Sequence, residues 1–316
     1  MSDKKIIVVA GATGAQGGGL ARAILADPQG GFALRALTRD VTTPKARALA
    51  EAGAEVVHAD VDDVESLKKA FAGAYGAYCV TFYWDHFSPE REIAQGTALA
   101  QAAKASGIQH AIWSTFEDTR TYVPLSDPKM PTLMGKYKVP HFDAKAEVNP
   151  VFTRLGVPTT FYLTSFYWEN FIYFGSGPKK GPDGKYALTF PLGDKKMPSV
   201  GVEDIGKTAY GIFKAGPKYI GKTVGVAGEH LTGAQMAAGL TRALGVPVAY
   251  NAVPPDVYRG FGFPGADDLG NMFQFKADFE SDYCGHRPLD VVHSLNPTVQ
   301  SYDAWLAANA KRIPLE

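Results

Sequence analysis

Three glycines at three-residue spacing open the chemistry of this chain. Gly11-Ala12-Thr13-Gly14-Ala15-Gln16-Gly17 directly follows the apolar run 6–10 and precedes a helical pattern. Gly11 permits a tight turn, Gly14 lets backbone N–H groups approach a pyrophosphate, and Gly17 lets a helix pack closely on a strand. The helix N-terminus adds partial positive charge where the phosphates would sit. Between the first strand and first helix of a β-α series, this spacing points to dinucleotide binding rather than to packing alone. The second strand ends in Ala36-Leu37-Thr38-Arg39-Asp40. An acid at that end accepts from the ribose 2′-OH of NAD, whereas an arginine accommodates a 2′-phosphate. Arg39 stands there and Lys45 can add a second charge, so the expected cofactor is NADPH. Asp40, one residue on, is the NAD-type alternative.

Ligands of open parallel sheets sit beyond the carboxyl ends of the strands, so other strand ends line the same crevice. His58-Ala59-Asp60-Val61 would flank the adenine. Thr81-Phe82-Tyr83-Trp84 would follow the nicotinamide ribose to the substrate mouth, although these aromatics could equally be packing residues. Ser114-Thr115-Phe116 and Thr164-Ser165-Phe166-Tyr167 would approach the nicotinamide. The candidate cofactor contacts are therefore Gly11, Thr13, Gly14, Ala15, Gln16, Gly17, Thr38, Arg39, Asp60, Val61, Thr81, Phe82, Tyr83, Ser114, Thr164 and Phe166.

These positions need a scaffold, and the first half of the chain supplies its rhythm. β-branched or apolar runs at 6–10, 32–37, 54–58, 77–81 and 110–114 alternate with helical patterns around 20–25, 45–52, 64–72 and 89–106. Ser88 as N-cap with Pro89 at the first helical position marks the start of the last helix. Such alternation predicts an α/β, Rossmann-type doubly wound parallel sheet, since parallel strands need crossover helices. Residues 116–140 read as a polar, Pro-containing loop long enough to be a site lid. A helix over 141–155 follows, then a strand over 159–163. Pro150 predicts a kink or break in that helix, with Asn149 capping a second short one, because an internal proline costs about 3 kcal/mol. We expect an NAD(P)-binding domain over 1–164. A smaller C-terminal α+β lobe for substrate or partner spans 165–316, and the chain could cross back to the first domain. The substrate crevice would lie between the sheet's carboxyl edge and residues 165–290. Within the lobe, Gly181-Pro182-Asp183-Gly184 reads as a turn, helices are expected near 202–215 and 231–244, and 250–300 shows no clear period.

Composition narrows the partners. With 32 basic and 32 acidic residues in 316, the formal charge is zero, which argues against a nucleic-acid partner held by counterion release. It does not oppose a homodimer. No apolar run reaches the roughly 18 residues of a membrane span, and the start at Met1-Ser2-Asp3 carries no leader pattern. Cys79 and Cys284 lack metal-ligand spacing and read as a core thiol and an inert loop thiol, so a cytoplasmic setting is expected.

The glycine motif with Ala15-Gln16, the pair Thr38-Arg39, and His141-Phe142-Asp143-Ala144-Lys145 together resemble the NmrA-like family of atypical short-chain dehydrogenase/reductases. Gly262-Phe263-Pro264-Gly265-Ala266 and Asn271-Met272-Phe273 are similar to segments of the redox-sensing animal members. The resemblance spans roughly residues 4–310. It implies a Rossmann fold, NADPH preference and a small C-terminal lobe. It also implies either of two functions, because some members are reductases and others are regulators that read dinucleotide levels.

Dehydrogenases of this superfamily use Tyr-x-x-x-Lys, the tyrosine protonating the carbonyl oxygen and the lysine lowering its pKa and holding the ribose. Here the frame reads His141-x-x-x-Lys145, one helical turn apart on one face. Lys145 matches the family lysine and Ser114 the serine that ends the fifth strand. The catalytic candidates are therefore Lys145, His141 and Ser114, with Lys145 also a cofactor contact; Tyr137 could substitute as the acid. The function expected is hydride transfer from NADPH to a small carbonyl, enone or imine-like substrate. The alternative is a non-catalytic sensor whose cofactor occupancy orders residues 82–90 and 116–140 for a regulatory protein partner. A sugar-nucleotide epimerase is disfavoured by the missing tyrosine.

Overall fold

The alternation appears in a computed structural model that describes residues 4–315; the start read at Met1-Ser2-Asp3 lies outside them. Strands β1 (Lys5–Val9), β2 (Phe32–Thr38), β3 (Glu55–His58), β4 (Gly76–Cys79), β5 (His110–Thr115) and β6 (Thr159–Leu163) interleave with helices. These are α1 (Ala15–Leu25), α2 (Pro44–Glu51), α3 (Val64–Phe71), α4 (Pro89–Ala105) and α5 (Pro140–Arg154). A seventh strand, Thr223–Gly225, joins at β6, giving the sheet order Thr223–Gly225, β6, β5, β4, β1, β2, β3. β1 pairs in parallel with both β2 and β4, and β2–β3, β4–β5 and β5–β6 are also parallel. The strand order reverses between β1 and β4, which is where a doubly wound sheet opens a crevice.

Local signals start the helices. Thr43 accepts from the Ala46 amide, Asp63 from Glu65 and Ser66, and Ser88 from Arg91. Each such cap contributes about 1 kcal/mol. Val8, Leu67, Phe71, Leu99, Trp113 and Phe152 share one buried cluster covering a face of the sheet. Each buried side chain of that size contributes about 1.5–3 kcal/mol.

Two expectations fail. The helix expected to break at Pro150 runs unbroken from Pro140 to Arg154. Val148 and Phe152, on either side of the proline, are fully buried, and Phe152 stacks on Trp113 at 5.4 Å. Core packing thus holds a geometry that local preference opposes. Residues 250–300, without visible period, form four helices: Pro255–Arg259, Ala266–Asp278, Glu280–Gly285 and Leu289–Leu295. In the longest, Asp268, Asn271 and Lys276 are buried beside Met272, Phe273 and Phe275, so the inward stripe is not apolar enough to read. Cys284, expected on a loop, lies in the third of these helices.

The chain forms two compact units. One comprises the residues up to Asp118, His141–Thr164 and Glu203–Val224; the other comprises Thr119–Pro140, Ser165–Val202 and the chain from Gly225 onward. The second unit holds two three-stranded sheets. Lys196–Val200 lies between Glu229–Thr232 and Phe166–Tyr167, and Tyr186–Phe190 between Val248–Ala252 and Lys179–Lys180. The Gly184 amide bonds the Gly181 carbonyl at 2.9 Å, closing the expected turn between Lys179–Lys180 and Tyr186–Phe190.

Candidate active site

The glycine turn lies at the carboxyl end of β1. Gly11 has φ +63°, a conformation side-chain-bearing residues rarely adopt. A Cβ on Gly17 would lie 2.5 Å from the Gly11 carbonyl oxygen and 2.6 Å from that of Ala10, so only glycine lets α1 approach β1 this closely. Gly14 is the N-cap of α1 and has no side chain to satisfy the first amides. The amides of Thr13 and Ala15 meet no acceptor among the described residues, and Gly11, Gly14 and Ala15 are exposed. Unpaired, exposed N–H groups at a helix start suit a diphosphate. The residues present therefore fit a dinucleotide.

Arg39 is the first residue beyond β2, with 67% of its side chain exposed, and its guanidinium lies 3.6 Å from the Asp85 carboxylate. Asp40 is engaged elsewhere. Its carboxylate accepts from the Thr42 hydroxyl at 2.6 Å and the Thr42 amide at 2.7 Å, and these bonds hold it below the usual carboxylate range. Thr38 exchanges hydrogen bonds with the Asp40 backbone and so shapes the same turn. After β3, the Asp60 carboxylate accepts from the Asp62 amide, Val61 is half-buried, and Asp62 accepts from Arg91 and Gln95 of α4.

Gln16 reaches across the ends of β4 and β5. Its side-chain oxygen accepts from the Tyr78 hydroxyl at 2.6 Å and the Ser114 hydroxyl at 2.8 Å. Ser114 is fully buried and bonds Gln16, not Lys145 or His141.

Lys145 meets a partner that sequence reading missed. Its Nζ lies 2.5 Å from Glu92 Oε1, 2.6 Å from Thr81 Oγ1 and 3.1 Å from the Thr81 carbonyl oxygen. The Thr81 hydroxyl donates to Glu92 Oε1 at 2.5 Å. Glu92 is fully buried. Burial, the largest single influence, raises its carboxyl, but the Lys145 charge, the facing His86 ring and the hydrogen bonds from Lys145 and Thr81 together outweigh it and hold the carboxyl at about 2. His86 Nε2 faces the second carboxylate oxygen at 3.4 Å, while the Ser88 amide donates to His86 Nδ1. The neutral ring therefore carries its proton on Nε2, toward Glu92. A small residue makes this meeting possible. A Cβ on Gly96, one turn after Glu92, would lie within 3.0 Å of Val148 on α5 and of Trp113. The one signal in the sequence was a carboxylate on the inward stripe of α4, in register with Gln95, Gly96, Leu99 and Ala103.

His141 occupies the turn before Lys145, 5% exposed, its ring 4.7 Å from Trp84, 5.9 Å from Tyr83 and 6.1 Å from Phe116. Tyr83 is buried beside it, whereas Phe82 projects outward with 54% exposed. Phe87 packs on Trp84 with φ +52°, a backbone cost of order 1–3 kcal/mol tolerated at functional sites. Thr164 is buried just past β6 in the first unit. Phe166 belongs to the second unit, packed among Phe171, Phe190 and Phe273, as does Tyr137. Among the described residues no cluster could hold a metal ion, and no helix is long and apolar enough to cross a membrane.

A model of the NmrA-like family matches residues 3–305. FrzB, an NmrA-like family domain-containing oxidoreductase of a Cladobotryum species, is 29% identical over 303 residues, covering 90% of this chain and 87% of its own. NmrA, a negative transcriptional regulator solved in complex with NADP and with NAD, superposes with a TM-score of 0.78 at 26% identity, covering 96% of this chain and 95% of that one. The triphenylmethane reductase of Citrobacter, complexed with NADP(H), has a TM-score of 0.74 at 20% identity over 97% of this chain and 99% of its own, a likeness of fold.

Proposed function

The chain belongs to the NmrA-like family, and from that premise we propose that it is an NADP(H)-binding oxidoreductase acting on a small carbonyl, enone or imine. The observation that carries this reading is the unfilled N-terminus of α1. Unpaired amides of Thr13 and Ala15 lie at the end of β1, and an exposed guanidinium, Arg39, stands one residue past β2. The amides hold the diphosphate, and Arg39 takes the 2′-phosphate because Asp40 is tied into its own turn. When bound, the cofactor supplies hydride to an electron-poor carbon of the substrate. Gln16 is held by Tyr78 and Ser114, and Lys145 sets positive charge at the end of β4. The buried ring of His141, beside Tyr83 and Trp84, is the titratable group on the same face one turn from that charge.

Calorimetric titration tests the reading. Arg39→Glu should weaken NADPH binding far more than NADH binding, and equal loss would refute the 2′-phosphate role. A protein that binds neither coenzyme would remove the proposal altogether.

One observation favours the regulator reading. Histidine stands at position 141 where dehydrogenases of the wider superfamily carry tyrosine, and the ammonium of Lys145 is engaged by Glu92 and Thr81. Tight NADPH binding without consumption against a panel of carbonyls, enones and imines would decide for a sensor.

A further inference from the structure

Lys145 is enclosed as well as paired. An ammonium group has three N–H donors. The described residues present three acceptors within 3.1 Å: Glu92 Oε1, Thr81 Oγ1 and the Thr81 carbonyl oxygen. The Thr81 hydroxyl spends its own proton on Glu92, so its oxygen is left to accept from Lys145 and the order of donors is set. The Trp113 ring lies 5.5 Å from Nζ and favours the charged form alone. The titratable groups around the pair are His86, on the far oxygen of Glu92, and His141, one turn earlier on α5.

We propose that Glu92 is the positioning residue of this site: it holds Lys145 as a permanent ammonium against the end of β4, so that Lys145 serves as a fixed charge and exchanges no proton during reaction. This rests on the oxidoreductase reading for its consequence, which is that the proton completing a reduction comes from another group or from water. Three structural facts support it. Glu92 has no exposed surface, so no water competes for its charge. Gly96 brings α4 close enough to α5 for the contact, at a position where any larger residue would collide with Val148. Lys145 has no N–H left over in this arrangement, so a proton acceptor has nothing to take without first breaking the cluster.

The test is NMR of the full chain grown on 13C,15N-labelled lysine, with the Lys145 side-chain signal assigned by its loss in Lys145→Arg. In the unaltered protein, Lys145 should show ammonium shifts at neutral pH, with its Nζ protons exchanging with water more slowly than those of exposed lysines, since all three are hydrogen-bonded. In Glu92→Gln it should titrate about 1–3 pH units lower, the effect of removing an opposite charge at contact. Glu92→Asp, which keeps the charge, should restore most of the shift. A neutral-amine signal for Lys145 at neutral pH, or Nζ protons that exchange as fast as those of exposed lysines, overturns the proposal. So does a Glu92→Gln signal that titrates where the unaltered one does. The first measurement stands even where Glu92→Gln fails to fold. No dinucleotide is present, so the outcome is separate from the calorimetric test. Lost NADPH binding removes the functional reading and leaves the Lys145 titration standing, and the reverse holds equally.

Discussion

Replacing Lys145 with methionine isolates what the buried charge pair does for stability. The substitution keeps an unbranched apolar stem but leaves the Glu92 carboxylate, fully buried, with no cation in contact. Removing one partner of a buried pair costs about 3–5 kcal/mol, because the remaining charge has lost its compensation. The Glu92 carboxyl, held at about 2 against an ordinary 4.5, also links this pair to folding in the native protein. The sign with pH distinguishes this cost from a generic packing defect. In the native protein the folded value is depressed, so this contribution is complete above about 4.5 and lost as pH falls toward about 2. In Lys145→Met, burial loses its strongest opponent and only His86 and Thr81 still act against it, so the Glu92 carboxyl rises and its protonated form is favoured in the fold. The deficit relative to the native protein should therefore be largest near pH 8 and shrink toward about pH 5. Urea unfolding followed by far-UV circular dichroism at both pH values measures it. The double variant Lys145→Met/Glu92→Leu should recover most of the loss, since apolar pairs of similar volume often replace buried ion pairs at little cost. A deficit below about 1 kcal/mol, the range of an exposed pair, would refute this account. A deficit equal at both pH values would refute it as well.

Two further outcomes follow from the crevice. Gly17→Ala places a methyl group 2.5 Å from the Gly11 carbonyl oxygen, so it should cost about 1–3 kcal/mol and weaken dinucleotide binding together. A melting temperature and an NADPH affinity both unchanged would show that the turn relaxes freely. Asp85→Asn removes the carboxylate that faces Arg39 at 3.6 Å. That pair is exposed and worth about 1 kcal/mol at most, so NADPH affinity should rise by up to about fivefold while NADH affinity stays level. An equal gain for both coenzymes would place the 2′-phosphate away from Arg39.

What was legible in the sequence is what local chemistry decides. The glycine spacing, the N-caps at Ser88 and Asp63, and the apolar strands each act within a few residues, and together they specify a doubly wound sheet. Pro150 misled because a local cost was weighed without the Phe152–Trp113 stack that overrides it. The helices of 250–300 were hidden because their inward faces carry Asp268, Asn271 and Lys276. Glu92 was passed over for a related reason. A single carboxylate in the first turn of a helix reads as a favourable neighbour of the helix dipole, and its place on the stripe of Gln95, Gly96, Leu99 and Ala103 does not name the cation it meets.

The end of β4 explains why the site depends on such non-local pairs. One short segment, from Thr81 to Phe87, carries the Lys145 bonds at Thr81, the Arg39 contact at Asp85 and the Glu92 contact at His86. It follows directly on the strand next to β1, at the reversal of strand order, so its conformation sets what lies beside the glycine turn. A single 3-10 turn, Tyr83–Asp85, supplies its backbone hydrogen bonds, and no strand partner is seen for it among the described residues. Ring contacts among Tyr83, Trp84, Phe87 and His141 hold it further, together with the buried Glu92–Lys145 pair. Phe87 keeps a left-handed backbone within that cluster, which the ring packing must offset. The segment therefore ties the Arg39 contact at Asp85 to the charge at Lys145 through covalent neighbours a few residues apart.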